Sequence, residues 1–142
     1  GCRLKGAVSH AAFESLQSVW IMNVLVIEDD SEFCEILVKS LFDWGHDPTT
    51  VFNWFSVMRV LGSDQFDLIV TDIETPTGNA LDAFQFLNHD DRIRKIPKVV
   101  ISGRQGKEID HACLVIGARY IHKSATFMTD LKSVVEDMVL PT

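Results

Sequence analysis

The chain has 142 residues, one domain's length, and its 46% hydrophobic and 23% charged content is that of a soluble globule. A formal net charge of −7, with no basic run, argues against direct nucleic-acid binding, which needs clustered Lys and Arg. No apolar run reaches transmembrane length, and three cysteines (Cys2, Cys34, Cys113) at no metal-ligand spacing fit a reducing, cytoplasmic setting.

Gly1 to Ile21 lacks strand patterning, although Ala11 to Trp20 can form a short helix. Residues 1–22 are expected to be an extension, engineered or loosely docked, ahead of a domain covering 23–142. In the sharper alternative, this helix packs through Phe13, Leu16 and Trp20. Val24 to Ile27 is a continuous apolar run followed at once by Glu28, Asp29 and Asp30. Ser31 opens a helix with Phe33, Ile36, Leu37, Leu41 and Trp44 at helical spacing, and Gly45 stops it. Asp47 to Phe52 is a weaker strand, placed at an edge by Pro48. Asn53 caps a helix that Gly62 ends.

Asp67 to Thr71 is the central strand, and Asp72 stands where it stops. A helix over Ala80 to Asn88 follows, then a charged connection from His89 to Lys95. Lys98 to Ser102 is the fourth strand, Lys107 to Ile116 a helix stopped by Gly117, and Tyr120 to His122 a short fifth strand ending at Lys123. Thr126 to Val139 is the last helix. The run Leu68 to Val70 does not alternate, so that strand is expected to be buried on both faces.

Five alternations of strand and helix predict an α/β, flavodoxin-like doubly wound (βα)5 fold with a five-stranded parallel sheet of order 2-1-3-4-5. In that order the first and third strands meet at the switch point. Glu28, Asp29 and Asp72 then share one crevice, which Ser102 and Lys123 enter from the fourth and fifth strands. Three carboxylates so placed repel one another unless a cation is bound or one takes a proton. Mg²⁺ with oxygen ligands resolves the conflict, and its habit of pairing carboxylates with phosphate points to phosphoryl chemistry. A carboxylate can itself be the nucleophile, and Asp72 is the best placed. Each residue also has an ordinary reading: helix-start acids, a turn aspartate, a strand-end serine, a solvated lysine. The combination at successive strand ends carries the functional one.

The stretches VLVIEDD (Val24 to Asp30), GHDPTT (Gly45 to Thr50), FDLIVTD with Pro76, KVVISG (Lys98 to Gly103) and GARYIHK (Gly117 to Lys123) occur in the order found in two-component response regulators. The chain from Asn23 to about Val139 resembles their receiver domain. That resemblance implies a signalling domain, not an enzyme proper, with Asp72 as phosphoacceptor, charged by a histidine kinase or a histidine phosphotransfer protein. It implies that Glu28 and Asp29 hold Mg²⁺ with Asp72 and the Glu74 main-chain carbonyl. It makes Ser102 the switch hydroxyl, Tyr120 the switch aromatic and Lys123 the site lysine. It also implies a downstream protein target, and a homodimer as an option, through the face of the fourth helix, fifth strand and fifth helix.

Four residues depart from the family pattern: Thr75 before Pro76, Ala80 for a glycine, Trp54 for a small residue, and Ser124 for the proline after the lysine. Trp54 is expected to cluster with Phe52 and Phe55 where the second helix packs at the edge. Without proline, the Lys123–Ser124 bond is expected to be trans with a shifted Lys123, or cis under strain. By the same resemblance, Glu74 and Arg104, two past Asp72 and two past Ser102, occupy the positions that flank the phosphoryl pocket in this family, and their pairing is expected to tune dephosphorylation. The alternatives are a haloacid-dehalogenase-like phosphatase, loosely suggested by Asp72-Ile73-Glu74-Thr75, a pseudo-receiver with a dead site, and a flavin protein. The phosphatase has its motif on the first strand, and the flavin protein needs a phosphate loop that the first strand lacks.

Overall fold

The structure, a computed structural model, describes residues 20–75 and 78–139. The expectations for Phe13, Leu16 and the rest of 1–19, and for Pro76, lie outside these residues. Ten main elements alternate: β1 (Asn23–Ile27), α1 (Ser31–Asp43), β2 (Asp47–Val51), α2 (Trp54–Ser63), β3 (Leu68–Asp72), α3 (Ala80–Leu87), β4 (Lys98–Ser102), α4 (Lys107–Val115), β5 (Ala118–His122) and α5 (Phe127–Val139). The sheet is parallel throughout, in the order β2-β1-β3-β4-β5. This is the expected flavodoxin-like arrangement.

Strand alternation divides the core into two layers. Leu25, Ile27, Ile69 and Val100 face Trp54, Val57, Leu61, Phe84, Leu87, Ile109 and Cys113, so α2, α3 and α4 cover that side. Val24, Val26, Leu68, Val70, Val99 and Ile101 face Cys34, Leu37, Leu41, Leu131 and Val135, so α1 and α5 cover the other. Residues of the central strands are therefore buried whichever way they point, which explains their unbroken apolar sequence. Cys34 and Cys113 are free and buried, as their helical positions suggested. Ile21 and Met22 are buried as well, and the Met22 amide donates to His46 Nδ1 at 3.1 Å. Among the described residues no helix is long and apolar enough to cross a membrane.

Caps set most helix ends. Asp30, Asn53 and Asn79 each accept a hydrogen bond from the first turn of the helix that follows. Gly45 and Gly117 follow α1 and α4 with φ of 93° and 72°, a conformation that costs glycine little.

Several boundaries differ from expectation. Gly62 lies inside α2, which runs on to Ser63 and is capped at Asp64, where the Asp64 amide donates to Val60 O. β5 begins two residues earlier than its apolar residues suggested, because Ala118 pairs with Lys98 and the exposed Arg119 with Val99. The charged connection contains a single helical turn, Asp91–Arg94, capped by Asp90, with Ile93 as its buried residue. Glu74–Thr75 pairs antiparallel with Gly78–Asn79, forming a two-residue ladder. Trp54 is not edge packing. It is buried edge-on against Phe84 with centroids 5.5 Å apart, whereas Phe52 and Phe55 are exposed.

Candidate functional site

Register builds the site. Ile27 pairs with Thr71, so the residues that leave β1 come alongside Asp72, and Asp72 pairs in turn with Ile101 of β4. One carboxylate oxygen each from Glu28, Asp29 and Asp72 lies within 4.8 Å of the others. Glu28 is almost fully buried, Asp72 half-buried and Asp29 exposed. Asp72 Oδ1 accepts from the Ile73 amide at 2.8 Å, and Glu28 Oε1 from the Asp30 amide at 3.1 Å. The Thr71 hydroxyl donates to the Asp72 carbonyl at 2.7 Å.

Burial pushes both the Glu28 and Asp72 carboxyls above the ordinary carboxylate range. For Glu28 the Asp30 amide works against burial, while the neighbouring acids add to it. For Asp72, Lys123 and the Ile73 amide work against it. Lys123 Nζ lies 3.6 Å from Asp72 Oδ2 and 3.9 Å from Glu28 Oε2. One ammonium thus pairs with two of the three clustered carboxyl groups. This oxygen-rich, under-neutralised cluster fits a hard divalent cation such as Mg²⁺.

Lys123 reaches this position across a trans bond to Ser124, as all described peptide bonds are trans. Ser124, standing where the family has proline, instead helps begin α5. Its Oγ lies 3.1 Å from Thr126 Oγ1 and accepts from the Thr126 amide at 3.3 Å. The Lys123 ammonium also sits 4.3 Å above the ring of Phe33, which itself lies 5.2 Å from the ring of Phe127. Phe33 was legible only as an inner-face helix residue, since its place beside Lys123 follows from how α1 and α5 pack.

The remaining predicted residues form a second group at the rim. Ser102 is buried at the end of β4, and its Oγ accepts from the Arg104 amide at 3.0 Å. The Tyr120 hydroxyl donates to the Arg104 carbonyl and, at 3.4 Å, to that of Ser102. Arg104 pairs with Glu74 at 3.2 Å, both side chains exposed. Among the described contacts, the acidic cluster with Lys123 is one unit, and the loop after β4, held by Tyr120 and Glu74, is another.

Comparison with known proteins agrees with this geometry. A family model, response regulator receiver domain, matches residues 24–136. The DNA-binding transcriptional regulator NtrC of Azospirillum brasilense is 34% identical over 73 residues, which are 51% of this chain and 14% of that protein. The chain spans well under half the length of the curated relatives it matches. Among solved structures, chemotaxis response regulator CheY4 of Vibrio cholerae is 15% identical with a TM-score of 0.75, covering 83% of this chain and 98% of that one. The receiver domain of the sensor histidine kinase PA1611 of Pseudomonas aeruginosa, solved with magnesium in its active-site cleft, is 18% identical with a TM-score of 0.73, covering 83% and 97%. The acidic pair follows β1 and Asp72 ends β3, the reverse of a haloacid-dehalogenase-like order. With the strand order, the acidic crevice and a family match over most of its length in agreement, the chain belongs to the response regulator receiver domain family.

Proposed function

We propose that this receiver accepts a phosphoryl group on Asp72 from a phosphohistidine of a histidine kinase or phosphotransfer protein. The observation that carries this reading is Asp72 itself, a half-buried carboxylate at the end of the central strand, between two further acids and one lysine. In the transfer, an Asp72 carboxylate oxygen attacks phosphorus and the P–N bond to the donor imidazole breaks. The electron pair stays on that nitrogen, and the product is an acyl phosphate. Asp72 Oδ1 is held by the Ile73 amide, which leaves Oδ2, on the Lys123 side, as the attacking atom.

Glu28, Asp29, Asp72 and the Glu74 main-chain carbonyl would hold Mg²⁺, which neutralises charge on the transferring phosphoryl oxygens when bound. Lys123 supplies positive charge from the other side. The Ser102 hydroxyl turns from the Arg104 amide toward the new phosphoryl group. Tyr120 then releases the Arg104 carbonyl and turns inward, reshaping the α4–β5–α5 face for a downstream protein or a second copy. Glu74 and Arg104, paired across the mouth, tune access of water to the acyl phosphate. Nucleic-acid binding is not assigned to this domain. Its NtrC relative, seven times longer than the matched part, is named as DNA-binding as a whole.

Borohydride trapping after incubation with a phosphorylated histidine phosphotransfer protein tests the assignment. Peptide mapping is expected to find homoserine at position 72. Reduction at Asp29, or at no aspartate, would refute it.

A further inference from the structure

Side chains alternate along β5. Ala118 and Tyr120 face the α2–α4 layer, and Ile121 faces α1 and α5. His122 therefore falls on the side of Tyr120, while Lys123 turns toward Asp72 and Phe33. Ser102, the last residue of β4, pairs with His122 across the ladder. Beyond it the chain leaves through Gly103, Arg104 and Gln105.

Three successive carbonyls of this loop are held by the end of β5. The Lys123 amide donates to Ser102 O at 2.8 Å, His122 Nε2 to Gly103 O at 3.2 Å, and the Tyr120 hydroxyl to Arg104 O. His122 also holds a second point, because its Nδ1 lies 2.9 Å from Gln105 Nε2. The amide nitrogen of Gln105 is a donor, so Nδ1 accepts. The ring proton then sits on Nε2 and points at Gly103, and one neutral tautomer satisfies both contacts.

These bonds respond differently to movement of the loop. The Lys123 bond extends the strand ladder. The Tyr120 bond leaves with the ring when the ring turns. The imidazole grips the same loop on both sides of Arg104, and a rigid ring cannot follow a displacement of both points at once.

We propose that His122 is a positioning residue for the switch. It clamps the Gly103–Gln105 loop in its resting arrangement and so sets how readily the Ser102 hydroxyl leaves the Arg104 amide for the phosphoryl group. The inference rests on Asp72 being the phosphoacceptor.

The chain contains one tyrosine, so 3-fluorotyrosine labelling gives a single ¹⁹F resonance, from Tyr120. The test compares the full chain with His122→Phe, which keeps a ring but loses both contacts, and with Gln105→Ala, which loses one and leaves β5 intact. Mg²⁺ with beryllofluoride defines the activated resonance position, and intact mass after acetyl phosphate treatment gives the phosphorylation rate. Without a phosphodonor, both variants are expected to move the resonance part of the way to the activated position. The activated-to-resting ratio and the phosphorylation rate are expected to rise about fivefold in Gln105→Ala, the usual worth of one such hydrogen bond, and further in His122→Phe, which loses two. Wild-type resonance and rate in both variants, with the adduct still forming, would overturn the inference and spare the reading of Asp72. Failure of the wild type itself to form an adduct would refute both.

Discussion

Replacing Asp72 by Asn is expected to stabilise the metal-free protein at pH 7. The carboxyls of Glu28 and Asp72 lie at most 4.8 Å apart. At an effective dielectric of about 20, their repulsion is ~3.5 kcal/mol. Asp29 is exposed, and solvent screening cuts its share to ~1 kcal/mol. Against these stands the Lys123 ammonium, 3.6 Å away, worth ~4.6 kcal/mol on the same scale. The charge pairs nearly cancel, so burial of the carboxylate, the first cause of its raised pKa, decides the sign. Asn keeps an oxygen for the Ile73 amide and removes that burial cost, a gain of about 1–2 kcal/mol, or about 3–6 °C in melting temperature.

The sign can be followed with pH. The folded-state pKa of Asp72 lies above its unfolded value. Its favourable contribution is therefore fully present below the unfolded pKa and is lost as pH rises through the folded one. The Asp72→Asn advantage is expected at pH 7 and to vanish below about pH 4. Mg²⁺ at ten times its Kd is expected to stabilise wild type by about 1.4 kcal/mol and Asp72→Asn by much less. Differential scanning calorimetry with and without Mg²⁺ measures all of this. A lower melting temperature for metal-free Asp72→Asn at pH 7 would mean that the lysine attraction wins.

Lys98 is buried on β4, with Nζ donating to the Ile93 and Ile96 carbonyls at 2.9 and 2.8 Å, and burial lowers its pKa to about 8. The two N–H groups of a neutral amine satisfy both short bonds. The unfolded lysine keeps its proton to higher pH, so wild-type stability relative to Lys98→Met is expected to rise by about 2 kcal/mol between pH 8 and 9.5 in urea titrations, and a flat difference would show that the ammonium stays charged inside. A Cβ on Gly78 would lie 2.9 Å from Trp54 Cδ1, so Gly78→Ala is expected to cost about 1–3 kcal/mol, and an unchanged urea midpoint would show that the Trp54 ring moves freely. Arg104→Ala breaks an exposed pair and is expected to leave the melting temperature nearly unchanged while altering the acyl-phosphate lifetime about two- to fivefold. An unchanged lifetime would remove the tuning role.

The fold was legible because its central strands are buried on both faces. Val24–Ile27, Leu68–Val70 and Val99–Ile101 need no alternation, and the acids after the first two and Ser102 after the third mark the strand ends. Strand order then brought Glu28, Asp29 and Asp72 together without any distance being known. What escaped depends on contacts between segments. The turn at Asp91–Arg94 has one apolar residue amid charges and looks like a loop. Lys98 reads as a strand-start charge, yet it caps that same turn from inside the core. Trp54 read as edge packing because Phe52 and Phe55 flank it, and only the position of Phe84 shows that the helix turns it inward. His122 gave no signal, because both its partners lie on a loop whose course sequence does not specify.

The most direct test of the central claim is intact mass after incubation with Mg²⁺ and acetyl phosphate. Wild type is expected to gain one phosphoryl group, to fail to do so when Mg²⁺ is chelated, and Asp72→Asn to gain none. A phosphoryl adduct that survives in Asp72→Asn would contradict the account.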